Sequence, residues 1–487
     1  MSLADGVTAP RALVRDVFLR LLGLVFLVAF LSALSQLELL VGEKGLLPAG
    51  EFLARARAEA SPLLLPTVFW LHCGDAALVA VAVAGAIASV GLVLGFAPRL
   101  CLAAAWALYL SLATVGQDFF QFQWDTLLLE SAFCAFFVTP GGLRPRRETT
   151  PPPHPIGVFL MLWLVFRLHA ESGGAKLLSG DPTWRDLTAM RTYYETAPLP
   201  TWIGWWAHQL PLWAHEATSA ATLVVEIAFA PLVFLPWRRV RLVAFVSMVA
   251  LQAGVALTAN YGFFNWLSAA LCLWVLDDGH FPRVAPRPAA EKSPRRTFAL
   301  ALVALLVVPL SVVPFLGFLN PSGRALRSVW PIARTLQAYR SINAYHLFAS
   351  MTIDRYEVVI EGSEDGRTWL PYEWRHKPGD PARAPGFVAP HQPRADFQAW
   401  FLMIRGRQPR EPWFAALLER MEKEPGTVAA LFSADPFAGR PPKELRVRAY
   451  RYRFTDRATR RATGAYWNRE PVRFEKVVRQ PRSPDRR

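Results

Sequence analysis

Apolar residues run in blocks of about twenty through the first two thirds of the chain and then give way to short stretches of period two. A block of that length, wound as a helix at about 1.5 Å per residue, crosses a hydrocarbon core of about 30 Å. Windows at 16–36, 76–96, 99–116, 122–140, 156–172, 217–236, 240–258, 261–277 and 298–318 meet this condition. They predict a polytopic α-helical membrane domain of about nine spans over residues 1–319. The fourth and fifth windows are the most polar, carrying Asp125, Glu130, Arg167 and His169.

Between the fifth and sixth windows, residues 173–216 follow neither pattern. Trp184, Trp202, Trp205, Trp206 and Trp213 suit a belt at headgroup level, and Pro198, Pro200 and Pro211 forbid one long helix. Short interfacial helices are predicted. After Leu319, Asn320-Pro321-Ser322-Gly323 ends the last apolar run and marks a boundary. Beyond it, RYEVVIEGS and WLPYEW alternate around Glu364-Asp365-Gly366, a hairpin signal, and RVRAYRYRF again has period two. Phe414, Leu417, Leu418 and Met421 recur at helical spacing. The expectation is a β-rich, sandwich-like soluble domain with a helical insertion over 320–480, and a basic tail at 481–487.

Composition agrees with membrane residence: 53% of the 487 residues are hydrophobic and 19% charged, with 18 Trp and 32 Phe. The net charge of +15 sits mostly after Leu319, where 31 Lys and Arg face 18 Asp and Glu. These are scattered arginines, read as a solvated basic surface, and no nucleic-acid partner is expected. Within the helical part the short basic loops order the topology. Arg11/Arg15, Arg99, Arg144/Arg146/Arg147, Arg238/Arg239/Arg241 and the stretch 283–296 fall on one side of a nine-span chain. With that side cytoplasmic, an odd count places the C-terminal domain outside the cytosol. Arg11, Arg15 and Arg20 lead into the first apolar run without a small-residue cleavage site, so the first helix is expected to remain as an anchor. All four cysteines, Cys73, Cys101, Cys134 and Cys272, lie in or beside apolar segments, so no disulfide is expected in the soluble domain.

Ionisable groups in membrane helices are costly and invite a functional hypothesis. The candidates are Asp125, Glu130, Arg167, His169, Glu171, Lys176 and Glu226. One reading is a buried charge network in which Arg167 or Lys176 pairs with Asp125, Glu130 or Glu226 and fixes helix packing. The other makes Lys176 a desolvated base with His169 as its proton relay, seven residues away but with Gly173-Gly174 between them as a possible break. His208 and His215 read as interfacial polar groups, no metal site is expected, and HExxH, CxxC, Walker and GxSxG signatures are absent. In the soluble part His391 is held between Pro390 and Pro393 in a rigid exposed loop, with Arg394 expected to pair with Asp380 or Asp396. Glu361, Arg375, Lys377 and Asp380 read as a solvated face, and Trp369, Trp374, Trp400 and Phe401 as core.

Several ordered blocks resemble the lipase maturation factor family over roughly 117–469. They are FQWDTLLLESAF, KLLSGDPTWRDLTAM, YYETAPLP, ANYGFFNWL followed by Asp277-Asp278, NAYHLFASMT, EVVIEGS, YEWRHKPGD, PHQPR, DPFAGRPP, YRYRFT and YWNR. The resemblance implies a multi-pass protein, resident in the endoplasmic reticulum membrane in animals, that helps secreted lipases fold and assemble. Its C-terminal domain would hold the client on the lumenal side. Composition points to a bacterial member, in an inner membrane with that domain periplasmic. Asn343, Tyr345, Glu361, Lys377, Asp380, His391 and Arg394 are then the candidates for client contact; membrane lipid is the other expected partner, and no cofactor is expected. A shorter stretch around Lys176 is similar to the membrane domain of vitamin K-dependent carboxylase, which implies the alternative of a quinone-linked enzyme with Lys176 as base. A transporter is not encouraged, since no internal repeat of the spans is found.

Overall fold

The computed structural model describes residues 3–59, 61–146, 148–281, 293–320, 328–404 and 411–479. Arg147, most of the basic loop before Arg296, Pro321-Ser322-Gly323 and the 481–487 tail therefore lie outside the described residues.

Among the described residues, seven helices are long and apolar enough to cross a membrane. They are α1 (Ala12–Leu34), α2 (Asp75–Leu94), α3 (Pro98–Val115), α5 (Pro155–Leu178), the stretch Leu212–Phe234 that opens with α8 (Leu212–Leu223), α9 (Arg238–Thr258) and α11 (Pro294–Leu319). The other two predicted spans are shorter helices, α4 (Gln123–Phe136) and α10 (Phe264–Cys272). A 14-residue helix rises about 21 Å, short of the hydrocarbon core. α4 tolerates this, and its two carboxylates, because nearly every residue from Trp124 to Ala135 is buried among other helices and none need face lipid.

The basic loops gather at one end of the bundle. Arg15, Arg99, Arg144, Arg146 and Arg296 line one shared concavity there. At the same end the Asp278 carboxylate accepts the Ala12 and Leu13 amides at 2.8 and 3.0 Å, capping α1. Asp277 pairs with Arg241 and, at 3.1 Å, with Arg238. Arg11 is fully buried and donates to the Trp274 and Leu276 carbonyls at 3.0 and 2.8 Å.

Residues 173–216 form the short helices expected, with one revision. α5 runs unbroken through Gly173-Gly174 to Leu178, and only then come α6 (Ala189–Thr196) and α7 (Trp202–His208). Trp202, Trp206 and Trp213 are exposed, as a headgroup belt requires, while Trp184 and Trp205 are buried.

The C-terminal part contains α12 (Trp330–Ala338), α13 (Arg394–Phe401), α14 (Pro412–Lys423) and α15 (Arg457–Thr463). Its strands are β1 (Arg355–Ser363), β2 (Leu370–Trp374), β3 (Phe432–Ala434), β4 (Glu444–Phe454) and β5 (Trp467–Arg479). The strands make one antiparallel sheet in the order β3-β2-β1-β4-β5. The domain is β-rich as expected, but among the described residues a single sheet with helices stands where two facing sheets of a sandwich were expected. The β1–β2 turn has the predicted chemistry: Gly366 takes φ +70°, and Asp365 accepts the Arg367 and Thr368 amides at 2.8 and 2.7 Å. α14 buries Phe414, Leu417, Leu418 and Met421 as its spacing predicts. Trp374 is core, whereas Trp369 and Trp400 are half-buried and Phe401 is 40% exposed.

No apolar gap separates the two parts. One buried core runs from the helices into the sheet domain.

Candidate functional site

The ionisable residues of the helices converge at the end of the bundle opposite the arginine-rich loops, where the C-terminal domain sits. Three buried clusters form the seam.

In the first, α4 places Asp125 in its opening turn, and α13 places Arg394 directly after Pro393. The guanidinium grips the carboxylate bidentately at 2.8 and 2.9 Å, donates to the Phe119 carbonyl at 2.6 Å, and lies 3.5 Å from the Phe120 ring centroid. The Tyr109 hydroxyl of α3 donates to the same carboxylate at 2.6 Å. Arg394 and Asp125 are at most 1% exposed. Two planar groups meeting in a fork is the geometry that makes an Arg–carboxylate pair strong. Arg394 thus bonds neither Asp380 nor Asp396, because it points into the helical bundle.

The second cluster centres on Arg167 of α5. It donates to Glu130 at 2.6 Å, to Glu171 one turn on at 2.9 Å, and to the Asn343 carbonyl. Segment 343–345 closes the ring from the C-terminal side. Asn343 and the Tyr345 hydroxyl donate to Glu130 at 2.7 and 2.8 Å, and the Tyr345 amide donates to Glu171 at 2.9 Å.

In the third, Lys176 spends its protons on both oxygens of Glu226, at 2.7 and 3.0 Å, and on the Leu347 carbonyl at 3.0 Å. Glu226 lies on a π-helical turn, Val224–Ala228, that continues α8. Such a turn inserts an extra residue and re-aims its side chains. Gly173 makes the approach possible, since a Cβ there would come within 2.6 Å of Ile227 and 2.9 Å of the Glu226 side chain. The glycine read as a possible helix break is therefore a contact point. Lys176 so engaged is an ion-pair partner rather than a free base. His169 bonds the Val165 carbonyl at 2.9 Å through Nδ1.

The rest of the seam comes partly from the quoted sequence blocks and partly from residues outside them. Asn260 donates to the Leu199 and Gly386 carbonyls at 3.1 and 2.9 Å and accepts the Val388 and Ala389 amides at 2.8 and 2.9 Å. Ser32 bonds His391 at 3.0 Å and accepts the Gln392 amide at 2.9 Å, and Gln36 accepts the Arg394 amide at 2.9 Å. Arg355 reaches the carbonyls of Glu195, Ala197 and Pro198 and pairs with Glu357, which also pairs with Lys377 at 2.9 Å. Burial pushes the Lys377 ammonium below its usual range, against the pull of Glu357.

This geometry relocates the client-contact candidates. Asn343, Tyr345, Lys377 and Arg394 are 6% exposed or less and bond within the protein, so as folded they offer no surface to a partner. Glu361 pairs with Arg446 at 2.5 Å, His391 is half-buried, and Asp380 alone of the seven is exposed. Tyr109, Ser32, Gln36, Asn260 and Arg355 were not singled out by sequence reasoning. Asn260 stands inside a quoted block, ANYGFFNWL, an amide in an otherwise aromatic run, and that was its signal. The described residues contain no cluster of three or more His, Cys, Asp or Glu suited to a metal.

Comparison with known proteins adds the family context. Residues 13–283 match the lipase maturation factor transmembrane domain, and residues 341–476 match the lipase maturation factor C-terminal domain. Lipase maturation factor 2 of Gallus gallus is 34% identical, the match covering 93% of this chain and 79% of the relative. Lipase maturation factor 2 of Homo sapiens is 32% identical over 95% of this chain and 82% of its own length. Lipase maturation factor 1 of Bos taurus is 32% identical over 93% and 86%. No solved structure matches the chain.

Proposed function

Because the chain belongs to the lipase maturation factor family, we propose that it is a membrane-anchored maturation factor that assists folding or assembly of secreted proteins, lipases among them. The observation that carries the reading is the match to relatives of that name across both parts of the chain. The seam adds physical support. A folding factor must hold its client-binding domain at the membrane surface, and here that domain is fixed to the bundle end opposite the arginine-rich loops. By the charge rule those loops are cytosolic, so the sheet faces the lumen or periplasm.

Client contact falls to what the seam leaves exposed. β5 is a sheet edge of 13 residues, able in principle to accept a client strand through its main chain. Pro471, which has no amide to donate, restrains indiscriminate pairing, which keeps affinity modest and release possible. Phe387 and Phe401 add exposed aromatic surface. No catalytic reading is favoured by a specific contact, since the ammonium of Lys176 is taken up by Glu226 and Leu347.

The test is co-expression of the full chain with a secreted dimeric lipase in cells lacking such a factor. Lipase specific activity and dimer yield are expected to rise; unchanged activity beside a folded, membrane-inserted chain overturns the proposal. Orientation is read separately by labelling Glu364→Cys, exposed in the β1–β2 turn, from outside sealed vesicles, with labelling only from the cytosolic face as the contrary result.

A further inference from the structure

α8 and α9 scarcely touch along their upper turns. The gap is a cavity of about 480 Å³, within the range that holds small ligands, and its walls are predominantly apolar. Leu251 and Val255 of α9, Phe264 of α10 and Met190 of α6 line it, and the Lys176–Glu226 pair and Phe348 close its inner end.

Three buried polar atoms in this wall are left over. The Trp124 indole nitrogen has no hydrogen-bond partner among the described residues. The Tyr193 and Tyr261 hydroxyls lie near one another, and Tyr193 also lies near the Thr258 side chain, but none of these approaches has the distance and angle of a formed hydrogen bond. All three side chains are at least nine-tenths buried, at 3%, 4% and 5% exposure. Indole is donor only and a phenol is a strong donor, so what is missing is acceptor oxygen. Neither Lys176 nor Glu226 meets the need, because each is committed to the other. Elsewhere in the wall Asn265 donates to Gln252 at 2.8 Å.

The cavity also has an opening. Ala221, Ala250 and Gly254 line it and are exposed, small residues within two membrane-spanning stretches, and a side chain added at Gly254 would meet nothing within 4 Å. Val243, Val246 and Leu257, exposed on the same helix, form an apolar outer surface of the kind that faces acyl chains.

We propose that this cavity binds a neutral membrane lipid, its hydrocarbon chain entering between α8 and α9 and its carbonyl oxygens accepting from Tyr193, Tyr261 and Trp124. Neutrality follows from the inner wall: Lys176 and Glu226 already balance, so a charged headgroup would be buried uncompensated. Acylglycerols and polyprenyl quinones share this chemistry. The inference does not depend on the client reading, and its test has no lipase in it.

The full chain is purified from membranes, its lipids are extracted and identified by mass, and the protein in phosphatidylcholine vesicles is photolabelled with a diacylglycerol carrying a diazirine on its acyl chain. We expect about one neutral carbonyl lipid per chain and cross-links at Met190 and Leu251. A glycerol ester or a quinone in the extract identifies the source, and either supports the class. Tyr193→Phe and Tyr261→Phe keep the ring shape and should each lower retention about fivefold, the worth of one hydrogen bond. Gly254→Trp should abolish inner labelling while sparing Val243 and Val246, with the melting temperature of each variant reporting its fold. An extract of bulk phospholipid alone, or labelling confined to the outer valines and unmoved by any variant, overturns the proposal.

Discussion

The seam and the cavity lie side by side, share Lys176 and Glu226, and are built on opposite principles. At the seam the charges are paired across the boundary: Arg394 has carboxylate and carbonyl acceptors, Glu130 receives three donors, and Asn260 uses both ends of its amide, while Arg394 Nε, Arg355 Nε and the Gln392 amide are left without partners among the described residues. The cavity has predominantly apolar walls, and the polar atoms of Trp124, Tyr193 and Tyr261 buried in those walls have no hydrogen-bond partner among the described residues. A buried network of paired charges fixes one arrangement of two parts, whereas an apolar space with unpartnered donors in its wall leaves room for a ligand. The ionisable residues that first suggest chemistry thus hold the structure together, and the unremarkable aromatics mark the place open to a ligand.

The sharpest way to break this contrast is Arg394→Met. It leaves Asp125 buried without its counter-charge, which costs about 3–5 kcal/mol, while adding Asp125→Leu should restore much of the loss because an apolar pair avoids the desolvation penalty. Thermal melting of the purified variants checks both; a single variant as stable as the parent would show that the seam is not where the domain is held.

Lys176→Met probes the shared boundary and should cost about 3 kcal/mol by stranding Glu226. Restoring stability with Glu226→Leu while lipid retention stays near the parent's would place the pair in the seam; lost retention in a stable double variant would move it to the cavity. Asn260→Ala is expected to cost about 2 kcal/mol, since it strands the Gly386 carbonyl and the Val388 and Ala389 amides, while the Leu199 carbonyl keeps the Asn260 backbone amide at 2.8 Å. Faster proteolysis near Gly386 reads that loss directly.

Much of this was legible in the residues. Block length located the long helices, the basic loops sorted to one end, Asp365-Gly366 announced its turn, and the cost of charge in an apolar helix picked out Arg167, Glu130, Lys176 and Glu226. What local pattern does not carry is pairing at long range. Asp125 and Arg394 are 269 positions apart, and each had nearer candidates. The single sheet was hidden because period two fixes a strand's two faces but not what covers them. The cavity was hidden too, since a tyrosine or tryptophan in an apolar run looks like packing until its polar tip is found without a partner.

The smallest effect tests whether the matching of the seam extends to protons. Asp396 at the start of α13 accepts the His376 amide at 2.8 Å, and burial pushes its carboxyl up to about 6. Burial, with help from His391, Arg375 and Arg383, pushes the His376 imidazole down to about 4. The signs oppose. Between about 4 and 6 the folded state holds a proton on Asp396 that the unfolded chain has released, so this group makes stability fall as pH rises. Between about 4 and 6.5 the unfolded chain holds a proton on His376 that the folded state has refused, so this group makes stability rise with pH. His391, also lowered by burial, adds in the second direction. His376 is only half-buried, so solvent screening holds its share to below about 2 kcal/mol. In the parent the terms offset. Asp396→Asn should therefore uncover a melting temperature that climbs from pH 4 to 6.5, and His376→Gln one that declines from pH 4 to 6. If both variants follow the parent's profile, the two groups do not titrate where their surroundings place them, and the proton balance of the seam is set by residues elsewhere.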